Sequence, residues 1–127
     1  MTTTTIKEVM STSLVMTEPS TSVAQAATVM GASRVSALLV ADAGTLVAIF
    51  TERDVLHALS QDFGAAETPI SHWMTTNPVT TSPSASVEDG LHVMLSGGFR
   101  HLPVVETDGS LVGVVSIRDL GRAIADH

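Results

Sequence analysis

Cysteine is absent from this chain of 127 residues, which excludes both a disulfide framework and a thiolate metal site. Positive charge is scarce: six Lys and Arg stand against thirteen Asp and Glu, for a net charge of -7. That balance excludes nucleic acid as a partner, because its phosphates require a basic stripe that releases counterions. No apolar run approaches the ~20 residues that cross a bilayer, so no membrane partner is expected. Residues 1–5 lack the basic and apolar regions of a signal peptide, and a cytoplasmic location is the default. His57, His72, His92 and His127 show no close ligand spacing, so no metal is expected. No Ser/His/Asp set or paired carboxylates stand out, and the sequence predicts no enzyme.

What the chain has instead is a duplication, the feature to seek before any local structure. Residues 6–43 align with 70–107 at a constant offset of 64. One extra residue enters at the turn Glu106-Thr107-Asp108-Gly109, after which residues 44–59 align with 109–124. Of the 54 aligned positions 19 are identical, among them Ile6, Met10, Pro19, Ser22, Met30, Leu38, Gly44, Arg53 and Asp54. The gap falls in a loop, where insertions are tolerated best. Residues 1–63 read as the first repeat, 64–69 as a linker and 70–127 as the second repeat. A copy of ~60 residues makes only a marginal core alone, so the copies are expected to form one integrated unit.

Each copy reads as strand, helix, strand, strand, helix, preceded by a helical lead-in at residues 6–10 or 70–74. In the first copy a short strand at 14–16 precedes a helix over 23–31, opened by the capping box Ser22-Val23-Ala24-Gln25. Two short apolar runs, 37–41 and 46–50, flank a turn and form a hairpin, and Thr51 caps a helix running to Ser60. The second copy follows with an extended piece at 79–80, a helix over 87–96, strands at 102–105 and 111–115, and a helix over 117–125.

The most telling repeated element is a strand-to-helix junction. Ala48-Ile49-Phe50-Thr51-Glu52-Arg53-Asp54 returns as Gly113-Val114-Val115-Ser116-Ile117-Arg118-Asp119. A hydroxyl residue followed three positions later by Asp is weak by itself, since most such matches are helix caps. Ser86-Val87-Glu88-Asp89 is an internal control of that bland kind, because its counterpart is the box at Ser22. The two junctions differ in following a buried strand and carrying Arg before the Asp. A helix N-terminus there favours phosphate, and the hydroxyl adds a donor. The carboxylate of Asp54 or Asp119 can accept hydrogen bonds from ribose hydroxyls, while Arg53 or Arg118 neutralises phosphate. Gly113 would let backbone approach a ligand closely. The plainer alternative is that these are ordinary surface arginines, since a guanidinium near a helix start also pairs readily with local carboxylates.

These residues resemble the cystathionine-β-synthase (CBS) domain family in its tandem form, the Bateman module. The similarity runs from Ile6 to Ile124 and also includes Arg34-Val35-Ser36-Ala37-Leu38 and Phe99-Arg100-His101-Leu102-Pro103-Val104. The resemblance implies a mixed α/β (α+β) fold of two β-α-β-β-α repeats related by a pseudo-twofold axis. It implies a regulatory role in which an adenosine-containing ligand binds in clefts between the repeats. AMP, ADP or ATP come first, with NAD and S-adenosylmethionine as further candidates and no cofactor required. Carried over, one cleft combines Val114, Ser116, Arg118 and Asp119 with Met10, Ser13, Val15, Val35, Ser36 and Ala37. The other combines Ile49, Thr51, Arg53 and Asp54 with Met74, Asn77, Val79, Phe99, Arg100 and His101. In the second cleft the Ala48 methyl adds bulk, while Arg100 and His101 add positive potential suited to a polyphosphate.

The resemblance further implies a homodimer, with Trp73 and the second helix of each repeat as candidate contacts, and an effector protein that receives the signal. The rival readings are a structural dimerisation or adaptor module whose clefts stay empty and, from another class, a small nucleotide-dependent enzyme.

Overall fold

The computed structural model describes residues 4–126. In the first copy the order is α1 (Ile6–Val9), β1 (Met16–Thr17), α2 (Val23–Ser33), β2 (Ala37–Asp42), β3 (Thr45–Thr51) and α3 (Glu52–Gln61). The second copy adds β4 (Thr75–Thr76), α4 (Val87–Gly97), β5 (His101–Val105), β6 (Leu111–Ser116) and α5 (Ile117–Ala125). Helix α2 begins where expected, with Gln25 N–H donating to Ser22 Oγ at 3.1 Å and Ser22 N–H to Gln25 Oε1 at 3.3 Å. It runs on to Ser33, past Gly31, and stops at Arg34 in the left-handed region with φ 58°.

The chain divides into two compact units, residues 15–78 on one side and residues 1–14 with 79–127 on the other, the second described over 4–14 and 79–126. In the unit of residues 15–78 the sheet order is β1-β2-β3-β4, with β1 parallel to β2 and the other pairs antiparallel. Val23, Ala26 and Met30 of α2 pack with Leu38, Val40, Ala48 and Phe50 of the sheet and Ala58 of α3. Ile70, wholly buried, completes that core from the second copy's lead-in.

The other unit repeats this plan with its edge strands reduced to single bridges. Strands β5 and β6 pair antiparallel, Thr81 bridges Val104 in parallel, and Ser11 bridges Val114 antiparallel. Thr81 and Ser11 are the counterparts of Thr17 in β1 and Thr75 in β4. The core joins Ile6 to Val87, Met94, Leu102, Val104, Val115 and Leu120. Each lead-in therefore serves the core built by the body of the opposite copy, and the repeats of the sequence and the compact units of the fold are cut differently.

Several local expectations need correction. The short strand lies at Met16–Thr17 rather than at 14–16, and Thr81 rather than residues 79–80 carries the matching bridge. The segment read as linker holds a 3-10 turn at Phe63–Glu67, capped by Gly64 N–H donating to Asp62 Oδ1 at 2.9 Å and anchored by buried Ala65. Strand β4 was not expected, because a two-residue strand has no periodicity to read.

The extra residue of the second copy has a physical account. Between β2 and β3, Ala43 and Gly44 both take positive φ, 52° and 82°, as a two-residue hairpin turn requires. Between β5 and β6 the loop is one residue longer and only Gly109 is left-handed, with φ 87°, which fits a three-residue connection ending in a glycine bulge. Asp108 stiffens that loop: Ser110 donates to its Oδ1 from Oγ at 2.6 Å and from N–H at 2.9 Å, which holds the carboxyl below its usual range.

Two glycines set close approaches. A Cβ on Gly90 of α4 would lie 2.9 Å from Ile6 Cδ1 and 3.1 Å from Leu120 Cδ1. The matching pair in the other unit is Ala26 and Val55, so a methyl group moves from one helix to the next and the packed volume is kept. A Cβ on Gly113 would lie 2.5 Å from Met10 Sδ and 3.0 Å from Ser11 O. Gly113→Ala is expected to cost about 1–3 kcal/mol by forcing the lead-in outward; an unchanged urea midpoint would show that the lead-in yields freely. Arg34 holds a left-handed helix end where its counterpart is Gly98. Arg34→Gly should raise stability by about 1 kcal/mol, read as a higher midpoint at constant m-value.

Candidate functional site

Both junctions are built by a strand delivering its last residue as the cap of the next helix. Thr51 closes β3 and caps α3, with Asp54 N–H donating to Thr51 Oγ1 at 3.3 Å. In return Asp54 Oδ2 accepts from Thr51 N–H at 2.9 Å and from its hydroxyl at 3.1 Å. Ser116 and Asp119 repeat this: Asp119 N–H donates to Ser116 Oγ at 3.1 Å, and Ser116 N–H to Asp119 Oδ2 at 3.0 Å. The control at Ser86 caps α4 by accepting from Asp89 N–H at 3.0 Å, but among the described residues Ser86 N–H makes no return bond to the Asp89 carboxylate. Reciprocal capping thus fixes the rotamers of Asp54 and Asp119, both partly buried, and among the described residues leaves Oδ1 of each without a protein partner.

The helix starts are less open than a bare N-terminus. Glu52 N–H donates to Ser36 O at 3.0 Å, and Ile117 N–H to Arg100 O at 2.8 Å. With Asp54 and Asp119 N–H bonded to the caps, the N–H groups of Arg53 and Arg118 are the ones left in the first turn. Both arginine side chains are exposed, and neither is ion-paired among the described residues, so local carboxylates do not claim them.

The unit of residues 15–78 brings together Ile49, Thr51, Arg53 and Asp54 with Met74 and Asn77, through the pairing of Ile49 with Thr75 and the bond from Asn77 N–H to Val47 O at 3.1 Å. It also holds Val15, Val35, Ser36 and Ala37, and Ala37 pairs directly with Thr51. The other unit brings Met10 and Ser13 to Val114, Ser116, Arg118 and Asp119, through two bonds between Ser11 and Val114 at 2.9 and 3.0 Å. Here His101 pairs with Ser116, placing Arg100 and His101 beside that junction, and Val79 and Phe99 belong to the same unit. Ile49 is buried, while Ser13, Asn77, Val79 and Arg100 are exposed.

Met10 and Ser13 thus share a unit with Ser116 and Asp119, and Met74 and Asn77 with Thr51 and Asp54. Strand pairing sets Ser36 and Ala37 beside Thr51, and Arg100 and His101 beside Ser116. Close to Gly113 stand the protein's own Met10 and Ser11. Ser11 and Thr75, which fasten the lead-ins, were missed; their equivalence in the repeat was the available signal. Trp73, expected at a dimer contact, bonds through Nε1–H to Thr68 Oγ1 at 2.9 Å and meets the His57 ring edge-on at 5.8 Å. Among the described residues, which exclude His127, no three potential ligands gather around a metal position, and no helix is long and apolar enough to cross a membrane.

Comparison with known proteins bears on these junctions. A 17.7 kDa protein of Acidianus ambivalens is 36% identical over 122 residues, covering 95% of this chain and 73% of its own. The CBS domain pair of protein MJ0100, solved with 5'-methylthioadenosine and S-adenosyl-L-methionine, superposes with a TM-score of 0.90 at 25% identity, covering 98% of both chains. CBSX2, solved with AMP, gives a TM-score of 0.80 at 29% identity and 97% coverage of both. The family model described as the CBS domain matches residues 6–61 and again 70–126, each span ending beyond an Arg-Asp junction. The chain belongs to the CBS domain family and carries that domain in tandem.

Proposed function

We propose that this protein is a regulatory module of the cytoplasm that binds an adenosine-containing ligand at its junctions, AMP, ADP or ATP foremost. NAD and S-adenosylmethionine are the further candidates. The observation that carries the reading is the half-used carboxylate. Oδ2 of Asp54 and of Asp119 is held by its cap, so Oδ1 is presented at fixed geometry to accept a ribose hydroxyl without further loss of side-chain entropy. Beside each carboxylate, the Arg53 or Arg118 N–H and guanidinium provide for phosphate. Ser13 and Met10 near Asp119, and Asn77 and Met74 near Asp54, are the lead-in residues assigned to the base. The adenosine compounds bound by MJ0100 and CBSX2 support the ligand class.

The role is sensory rather than catalytic: the ligand shifts shape or partner affinity, and an effector protein and a second copy of the chain are its partners. Leu56 on α3, 70% exposed, and Phe63, 86% exposed, support the self-association part of the proposal. They join Trp73, which bonds within its own unit, and the second helices α3 and α5 as the candidate contacts. They equally suit an adaptor module that binds no ligand.

Thermal unfolding separates the two readings. A ligand at 100 times its dissociation constant adds about 2.7 kcal/mol, a rise of roughly 10 °C for a chain of this size. Asp54→Ala and Asp119→Ala should each remove a large part of that rise while the protein stays folded, since losing a cap contact costs only about 1 kcal/mol. No shift with AMP, ADP, ATP, NAD or S-adenosylmethionine would replace the sensor with the adaptor.

A further inference from the structure

The two junctions are copies, yet the residues around them have diverged. In the unit of residues 15–78 the lead-in stays paired along β3: Thr75 and Thr76 oppose Ile49 and Ala48, and Asn77 continues the ladder by donating to Val47 O. Asn77 adopts φ 49° as it does so. In the other unit the lead-in leaves the sheet after a single bridge, Ser11 to Val114. The counterpart of Asn77 is Ser13, which is not left-handed, and its N–H turns back to Ser11 Oγ at a long 3.3 Å instead of reaching Val112. An edge of backbone at Val112, two residues before Val114, therefore lacks the cover that Val47 receives.

Charge diverges in the same sense. Beside Ser116 the neighbouring strand supplies Arg100 and His101, whereas beside Thr51 it supplies neutral Ser36 and Ala37. Of the two residues whose carbonyls accept from the helix starts, Arg100 at Ile117 N–H and Ser36 at Glu52 N–H, only Arg100 is a cation, which favours an anionic ligand at the Ser116 junction.

Resting on the ligand class proposed above, the geometry points to unequal sites, with the Ser116–Asp119 junction the tighter. There the base edge is read by backbone groups of Ser13 and Val112, whose counterparts at the other junction, Asn77 and Val47, are bonded to each other. Arg100 adds a contact that grows with the number of phosphates.

Calorimetric titration of the full chain with AMP and with ATP tests this. Two events at least tenfold apart in Kd are expected, the tighter lost in Asp119→Asn and the weaker lost in Asp54→Asn. Both substitutions keep the side-chain shape and a capping oxygen, and circular dichroism verifies the fold. Arg100→Ala, an exposed change that preserves the carbonyl bonded to Ile117, should weaken the tighter event more with ATP than with AMP. Loss of the tighter event in Asp54→Asn, equal Kd values for both events, or no effect of Arg100→Ala on ATP would overturn the inference while leaving adenosine binding in place. Absence of any heat with AMP, ATP or S-adenosylmethionine would overturn the ligand reading, and the inequality with it.

Discussion

Everything in this fold depends on burying one isoleucine per lead-in. A body of helix, hairpin and helix leaves its core open, and Ile6 or Ile70 closes it, each wholly out of solvent. Full burial of such a side chain is worth about 1.5–3 kcal/mol, a sizeable part of a marginal stability. The isoleucine also sets where the following chain goes. Once Ile70 is seated, Thr75 falls beside Ile49; once Ile6 is seated, Ser11 falls beside Val114. Both are two residues upstream of the hydroxyl that caps a helix. Core packing thereby helps decide which backbone stands next to each junction.

At the junction itself, the carboxylate that caps the helix commits one oxygen and, among the described residues, leaves the other without a partner. Asp at this position closes a capping box with a hydroxyl residue three positions earlier, and the geometry engages Oδ2 while leaving Oδ1. Capping alone does not require the return bond, as Ser86 and Asp89 demonstrate. Reciprocity by itself is ordinary capping, since Ser22 with Gln25 has it too; what the junctions add is a short Asp side chain whose second oxygen is held in one place. The arginine before the Asp stays solvated and unpaired among the described residues, which keeps its charge available.

Much of this was legible in the sequence because it is local or repeated. The hairpins declared themselves as paired apolar runs, the helix starts as capping boxes, and the single gap as a turn that differs by one residue. What stayed hidden depends on contacts distant in sequence. That Ile6 packs with Leu120 and Gly90 is invisible until the chain is folded, because the alignment equates the two lead-ins without saying which body each joins. Strand register was hidden for the same reason: it places Ser36 and Ala37 at Thr51, and Arg100 and His101 at Ser116. A glycine beside a binding motif reads as room for a ligand; that Met10 and Ser11 also stand against Gly113 emerges only from the fold. Arg34 offered no signal at all, because a left-handed helix end is announced by glycine and arginine masks it.

The differences between the copies fall into two kinds. Some are compensated within the unit: Ala26 with Val55 against Gly90 with Leu120 leaves the packing volume nearly constant, and the hairpin that gains a residue changes turn type to absorb it. Others are not compensated. Asn77 against Ser13, and Ser36 with Ala37 against Arg100 with His101, change hydrogen bonding and charge with no offsetting change nearby. Uncompensated divergence is what packing alone does not produce, because the cores demand matched volumes and are indifferent to charge at an exposed strand end. Such changes are not confined to the junctions, since Lys7 against Ser71 and Glu18 against Ser82 are of the same kind; those beside Asp54 and Asp119 stand out because they alter the polar surroundings of two otherwise equivalent capping boxes.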